Sequence, residues 1–148
     1  MIAEALVCLA LNAYHEARNQ DTHGMIAVSQ VAMNRVESDL FPDNVCDVIY
    51  QGPHRPSWAD PEKMIPLRHR CQFSWYCDGK SDEPHEKEAW QLAKMIAHGV
   101  YFGNVDDKTD GALWYHADYV EPEWSSEKKY ITKIGDHLFY GKKDNATN

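Results

Sequence analysis

The opening segment, Ala3 to Arg18, restricts the fold more than any other stretch. Ala and Leu dominate it, and neither Gly nor Pro interrupts it, so an unbroken helix is its favoured state. Leu6, Leu9, Ala10, Ala13, Tyr14 and Ala17 recur at three- and four-residue steps and draw one apolar stripe. Asn19, Gln20 and Asp21 are poor continuers. A second helical pattern then runs from Gly24 to Glu37, with Ile26, Val28, Val31, Ala32 and Val36 as its buried side. Phe41-Pro42-Asp43-Asn44 reads as a turn ending in a capping residue, followed by a short helix from Val45 to Tyr50.

The later chain is punctuated differently. From Gly52 to Pro66 the chain reads as irregular, because Pro53, Pro56, Pro61 and Pro66 forbid a long regular element. Gln72 to Tyr76 reads as a short β-like run closed by Asp78-Gly79. Glu83-Pro84 opens a helix from about His85 to His98, which Gly99 should stop. Extended stretches follow at Ala112–His116, Tyr130–Ile134 and His137–Tyr140. Helices first and a small sheet afterwards make an α+β fold. Residues 1–141 form one domain in this reading, and 142–148 a polar, disordered tail.

Composition removes several functions. The net charge is −8, which opposes nucleic acid as a partner, because phosphate binding needs clustered Lys and Arg. No apolar run approaches the ~20 residues of a membrane span. Ile2 to Ala13 is too short for one and carries Glu4 and Asn12, and no basic segment marks it as a signal peptide. On this basis the chain is expected to be made in the cytoplasm. None of the four cysteines forms a C-x-x-C pair. Cys8, on an apolar helical stretch, is expected to be a buried thiol. Cys71 and Cys77 flank a short aromatic segment and can meet across a turn, which would need an oxidising compartment.

Chemistry concentrates around Tyr14-His15-Glu16-Ala17-Arg18. Glu16 lies near the end of a helix whose other face is apolar. Partial removal from water and the negative end of the helix dipole both disfavour its carboxylate. That raises its pKa above the reference of about 4.3, as a general acid working near neutrality requires. The plainer alternative is a solvated helix-end Glu paired with Arg18 or Arg35.

That motif belongs to an ordered set. It is followed by Ala27-Val28-Ser29-Gln30-Val31-Ala32-Met33-Asn34-Arg35-Val36, then Phe41-Pro42, Val45 to Gln51, and Gln72-Phe73-Ser74. Tyr115-His116-Ala117 and Ile134-Gly135-Asp136-His137-Leu138-Phe139-Tyr140 complete it. The set, spanning about Leu6 to Tyr140, resembles the cell wall hydrolase family that includes spore-cortex-lytic enzymes and related phage endolysins. The resemblance implies a lysozyme-like domain acting on peptidoglycan. It further implies lytic transglycosylation between N-acetylmuramic acid and N-acetylglucosamine, with Glu16 as the catalytic acid. Asn19 and Gln20 depart from the Gly and Glu usual after the motif's Arg. Asn still tolerates a left-handed turn, but any assistance from a second carboxylate at position 20 is lost.

Around Glu16 the expected substrate-binding residues are Gln72, Ser74, Tyr115, His116 and Asn34. Amide and hydroxyl groups suit N-acetyl and sugar hydroxyl partners, while Phe73 is expected in the core. Trp58 and Trp124 are better read as core than as sugar platforms. Asp60, Asp78 and Asp118 are the possible second carboxylates for a hydrolytic muramidase. A zinc-dependent amidase built on His15, His116 and His137, with Glu16 or Asp118, is the other alternative. No H-E-x-x-H supports it, so no metal and no cofactor is expected. A catalytically silent peptidoglycan-binding module is a third. The expected partner is the peptidoglycan glycan strand, met by a monomer in the periplasm or cell wall, with a phage endolysin as the natural setting.

Overall fold

The computed structural model describes residues 1–143. Among the described residues there are four α-helices: α1 (Ile2–Ala17), α2 (Thr22–Val36), α3 (Val45–Ile49) and, after a long connection that holds a short hairpin, α4 (Lys87–Tyr101). α1 is the central element and packs on α2, α3 and α4. Leu9, Ala13 and Ala17 from α1 meet Val28 and Val31 from α2 and Ala93 and Ala97 from α4 in a sealed interior. The small residues on α1 let its neighbours approach closely, and its apolar stripe is as wide as a helix surrounded on three sides requires. The α1–α2 corner is held by the Asp21 side chain, which accepts from the Gly24 amide at 3.0 Å. Asn44 caps α3 in the same way through the Asp47 amide. No helix among the described residues is long and apolar enough to cross a membrane.

The late sheet has the order β3-β5-β4, all antiparallel, from β3 (Trp114–Ala117), β4 (Lys129–Ile134) and β5 (His137–Gly141). β4 and β5 join through Gly135-Asp136. Gly135 takes φ +59°, as a two-residue hairpin with glycine at its first position does. Opposite pairs Tyr115–Phe139 and Ala117–His137 put Tyr115, His137 and Phe139 on one face of the sheet.

Four local expectations are corrected. The proline-rich stretch contains a hairpin, β1 (His54–Pro56) with β2 (Met64–Pro66); its prolines occupy the strand ends, where no ladder donor is lost. Gln72 to Tyr76 is not a strand: Ser74–Cys77 coils into a 3-10 turn. The Cys71–Cys77 disulfide closes this six-residue separation, too short a loop for an extended run. Its polar–apolar alternation nevertheless holds, with Phe73 and Trp75 buried and Gln72 and Ser74 exposed. Cys8 is not a free thiol but bonds Cys46, tying α1 to α3. Finally, α4 starts at Lys87 and runs through Gly99 to Tyr101. The left-handed glycine after its end is Gly103, at φ +72°.

Trp58 is 91% exposed near the β1–β2 turn and joins no core. Trp124 is half-buried against His116 and Tyr140. The tail expected at 142–148 lies outside the described residues from 144 onward.

Candidate active site

The last turn of α1 forms the floor of a cleft of about 840 Å³, within the ~300–1,000 Å³ usual for ligand sites. One wall is the 78–86 segment, which crosses the end of α1. It is fastened there by His15 Nε2 against the Asp82 carbonyl at 2.8 Å and by the Glu86 amide, which donates to the Tyr14 hydroxyl at 3.0 Å. The opposite wall is the face of β3 and β5 carrying Tyr115 and His137.

Glu16 lies on that floor, half-buried. The Tyr115 hydroxyl donates to its Oε1 at 2.8 Å. Burial pushes the Glu16 carboxyl above its ordinary pKa; the Tyr115 hydrogen bond and the charge of Arg35 oppose this but do not cancel it. Neither ion pair considered for a solvated Glu16 forms. Arg18 pairs with Glu86 at 3.2 Å. Arg35, 4% exposed, donates to the Leu113 carbonyl at 2.7 Å and to Gln72 Oε1 at 3.3 Å. Its guanidinium carbon lies over the rings of Phe41 and Phe73, 4.6 and 5.2 Å from their centroids. Tyr115 itself is held strongly protonated, first by burial and then by the neighbouring Glu16 carboxylate. The result is one carboxyl group, kept partly dry, with a fixed hydroxyl donor on one oxygen.

The other candidates are not all brought here. Ser74, Tyr115 and His116 line the cleft. His116 is already engaged: its Nδ1 faces the Ala117 carbonyl and its Nε2 the Tyr140 hydroxyl, both at 2.8 Å. A carbonyl only accepts, so Nδ1 carries a proton, and in the neutral ring Nε2 accepts from the Tyr140 hydroxyl. His116 therefore braces the wall. Gln72 is exposed, is not part of the cleft lining, and accepts from Arg35. Asn34 is elsewhere: its amide donates to Asp107 and to the Ala112 carbonyl, both at 3.0 Å, and its oxygen accepts from Gln30. It straps the loop before β3, leaving little capacity for a substrate. Of the possible second carboxylates, Asp78 lines the cleft. Asp60 lies in the β1–β2 turn, and Asp118 pairs with Lys133 at 3.3 Å.

Three contributors were not foreseen as substrate-binding or acid–base residues. His15 stacks on Trp75, with ring centroids 4.6 Å apart and planes 18° apart, and so fixes the floor against the 3-10 turn. Asp82, raised in pKa by burial and by Asp78 while His15 opposes, flanks it; nothing in its sequence context marks it. His137, considered from the sequence as a possible zinc ligand and as part of the Ile134–Tyr140 motif, reaches the cleft from β5. Gln20, where the usual Glu is missing, holds the β4–β5 turn: its Oε1 accepts from the Asp136 amide at 2.9 Å and its Nε2 donates to the Asp136 carboxylate at 3.0 Å. Among the described residues no three His, Cys, Asp or Glu side chains converge as a metal-ligand set.

The profile of a family described as Cell Wall Hydrolase matches residues 19–140. The spore cortex-lytic enzymes of Oceanobacillus iheyensis and Bacillus subtilis are 26% and 29% identical to this chain, over 85% and 88% of its length. The chain spans only 37% and 35% of those relatives. Among solved structures, the catalytic domain of the germination-specific lytic transglycosylase SleB from Bacillus anthracis superposes with a TM-score of 0.63. It is 26% identical, with 93% of both chains covered. The catalytic domain of the Bacillus cereus SleB protein gives 0.60 and the same identity, covering 93% of this chain and 91% of that one.

Proposed function

The chain belongs to the cell wall hydrolase family, and from that premise we propose that its cleft cleaves the glycan strand of peptidoglycan by lytic transglycosylation. The cut falls between N-acetylmuramic acid and N-acetylglucosamine, and Glu16 acts first as acid and then as base. The observation that carries this reading is the state of Glu16: a carboxyl on a cleft floor, with its pKa raised by burial and one oxygen fixed by Tyr115.

One such group suffices for the chemistry. Protonated Glu16 gives its proton to the bridging oxygen as the C1–O bond of the muramic residue breaks. The carboxylate so formed faces a sugar cation and stabilises it. It then takes the proton of the muramic C6 hydroxyl while O6 bonds to C1. The products are a 1,6-anhydromuramic end and a free 4-hydroxyl on the other fragment, Glu16 is protonated again, and no water is consumed. A raised pKa serves both steps, making the acid form available near neutrality and the carboxylate a competent base. Ser74, in the cleft lining, supplies a hydroxyl for the glycan.

Asp78 in the same cleft favours a second reading, hydrolysis by a muramidase, in which it would direct water to C1. Mass spectrometry of soluble products from purified sacculi separates the two. Anhydromuramic ends support transglycosylation, and reducing ends heavier by one water support hydrolysis. Free stem peptides, lost on chelator treatment, would mean a zinc amidase instead. Glu16→Gln should abolish release of soluble glycan; sacculi cleared at the wild-type rate would overturn the assignment. The setting we propose is that of an endolysin acting as a monomer in the wall. The two disulfides suit such a site of action outside a reducing cytosol.

A further inference from the structure

His137 is a polar side chain buried almost completely at the working end of the sheet. It is 8% exposed and lines the same cleft as Glu16. Its ring meets the Tyr115 ring edge-on, with centroids 5.2 Å apart and planes at 83°, and Phe139 lies behind it. Tyr115 thus stands between Glu16, which it hydrogen-bonds, and His137.

The two ring nitrogens of His137 differ. Nδ1 is sealed from solvent and has no hydrogen-bond partner. Nε2 also lacks a partner among the described residues, but it is not sealed, so it is the nitrogen that opens to the cleft. A neutral imidazole carries one proton. An N–H at Nδ1 would be buried without an acceptor, whereas an N–H at Nε2 can be satisfied by water or a ligand. The proton therefore resides on Nε2. Burial lowers the affinity of the ring for a second proton; His116 acts in the same direction, and Asp136 and Asp118 oppose it. The ring's place is set from below by Gln20, which grips Asp136, the preceding residue, by two hydrogen bonds.

We propose that His137 is a substrate-contacting residue, a fixed Nε2–H donor that binds the acetamido carbonyl of an N-acetylated sugar beside Glu16. The proposal rests on the glycan-cleaving reading and deepens it. A lone donor on an aromatic wall suits an acceptor with no proton of its own to place, and the acetamido oxygen is the strongest such acceptor on a glycan strand. Sugar hydroxyls are both donors and acceptors, and here they find no acceptor on His137.

Two measurements test this. In 15N-histidine NMR spectra of the wild-type protein, His137 should show the Nε2–H tautomer, and its Nε2 signal should move on titration with tetra-N-acetylchitotetraose. An Nδ1–H tautomer, or no movement up to the solubility limit of the sugar, overturns the proposal whether or not the protein cleaves sacculi. The second compares wild type, His137→Gln and His137→Phe on N-acetylated and N-deacetylated sacculi. Wild type should prefer the acetylated wall. His137→Phe should lose that preference by roughly three- to tenfold, the worth of one neutral hydrogen bond. His137→Gln, which restores a donor at similar reach, should recover much of it. Equal losses on both walls, with the preference unchanged, would mean that His137 only supports Tyr115 and would sink the proposal. A wild-type protein that yields no glycan fragments but shows the expected tautomer and shift would leave the acetamido site standing and remove the lytic reaction.

Discussion

Tyr115→Phe isolates the one hydrogen bond that governs Glu16. The ring and its contacts with Phe73, His137 and Phe139 remain, and only the hydroxyl 2.8 Å from Glu16 Oε1 goes. Such a bond is worth about 1.5–3 kcal/mol to a carboxylate and about 1 kcal/mol to a neutral acid. Its removal therefore disfavours the carboxylate by about 0.5–2 kcal/mol. At about 1.36 kcal/mol per unit, the basic limb of the pH–activity profile moves alkaline by roughly half to one and a half units. The assay is the initial rate of turbidity loss of purified sacculi from acid to alkaline pH for both proteins. Stability must move consistently. Glu16 already has a folded-state pKa raised above its unfolded value, so its contribution is fully present below the unfolded pKa and is lost as pH rises through the folded one. Without the hydroxyl, that loss is larger. The melting temperatures of the two proteins should differ least in acid and most in alkali. A basic limb that stays in place or moves toward acid would refute the claim that the Tyr115 hydroxyl favours the Glu16 carboxylate.

Three further outcomes are expected. Arg35→Ala leaves the Leu113 carbonyl without its donor and removes the guanidinium from the rings of Phe41 and Phe73; urea unfolding should show a loss of about 2–4 kcal/mol, and Arg35→Lys should rescue little because an ammonium offers neither the planar stacking surface nor the fork of donors. Cys8→Ser, with Cys46→Ser, opens a 38-residue separation and should lower stability by about 4 kcal/mol on the chain-entropy estimate, against about 2 kcal/mol for the six-residue Cys71–Cys77 pair. The second pair should lose more activity for its stability loss, since it frames Ser74. Gln20→Glu sets a carboxylate against Asp136, which now accepts from the Gln20 amide; thermal melts should show a loss of about 1 kcal/mol at neutral pH that fades as carboxylates protonate in acid.

Much of the scaffold was legible because it is encoded at short range. The apolar stripe of α1 and the capping residue Asn44 each depend on neighbours a few residues away, whereas Asp21, read only as a poor continuer, proves to cap an α2 that starts at Thr22. Expectations failed where a distant or covalent partner decided. The Cys71–Cys77 bridge coiled a segment whose alternation suggested a strand, and α4 ran through Gly99 because packing against α1 and α2 outweighs the modest penalty of one glycine. Asn34 was spent on a loop 73 residues later in the chain.

By itself the sequence determined that Glu16 would lie near the end of a helix with its apolar side inward, and that a small sheet would follow that helix. Those are consequences of side-chain period and of where Gly and Pro fall. Only the tertiary structure decided what surrounds that carboxyl. Tyr115 lies 99 residues away along the chain, and His137 reaches the same cleft from a strand folded back beside it. Hydrogen bonding and desolvation act through distances of a few ångströms, and no periodicity in a chain records which remote residues will be brought that close.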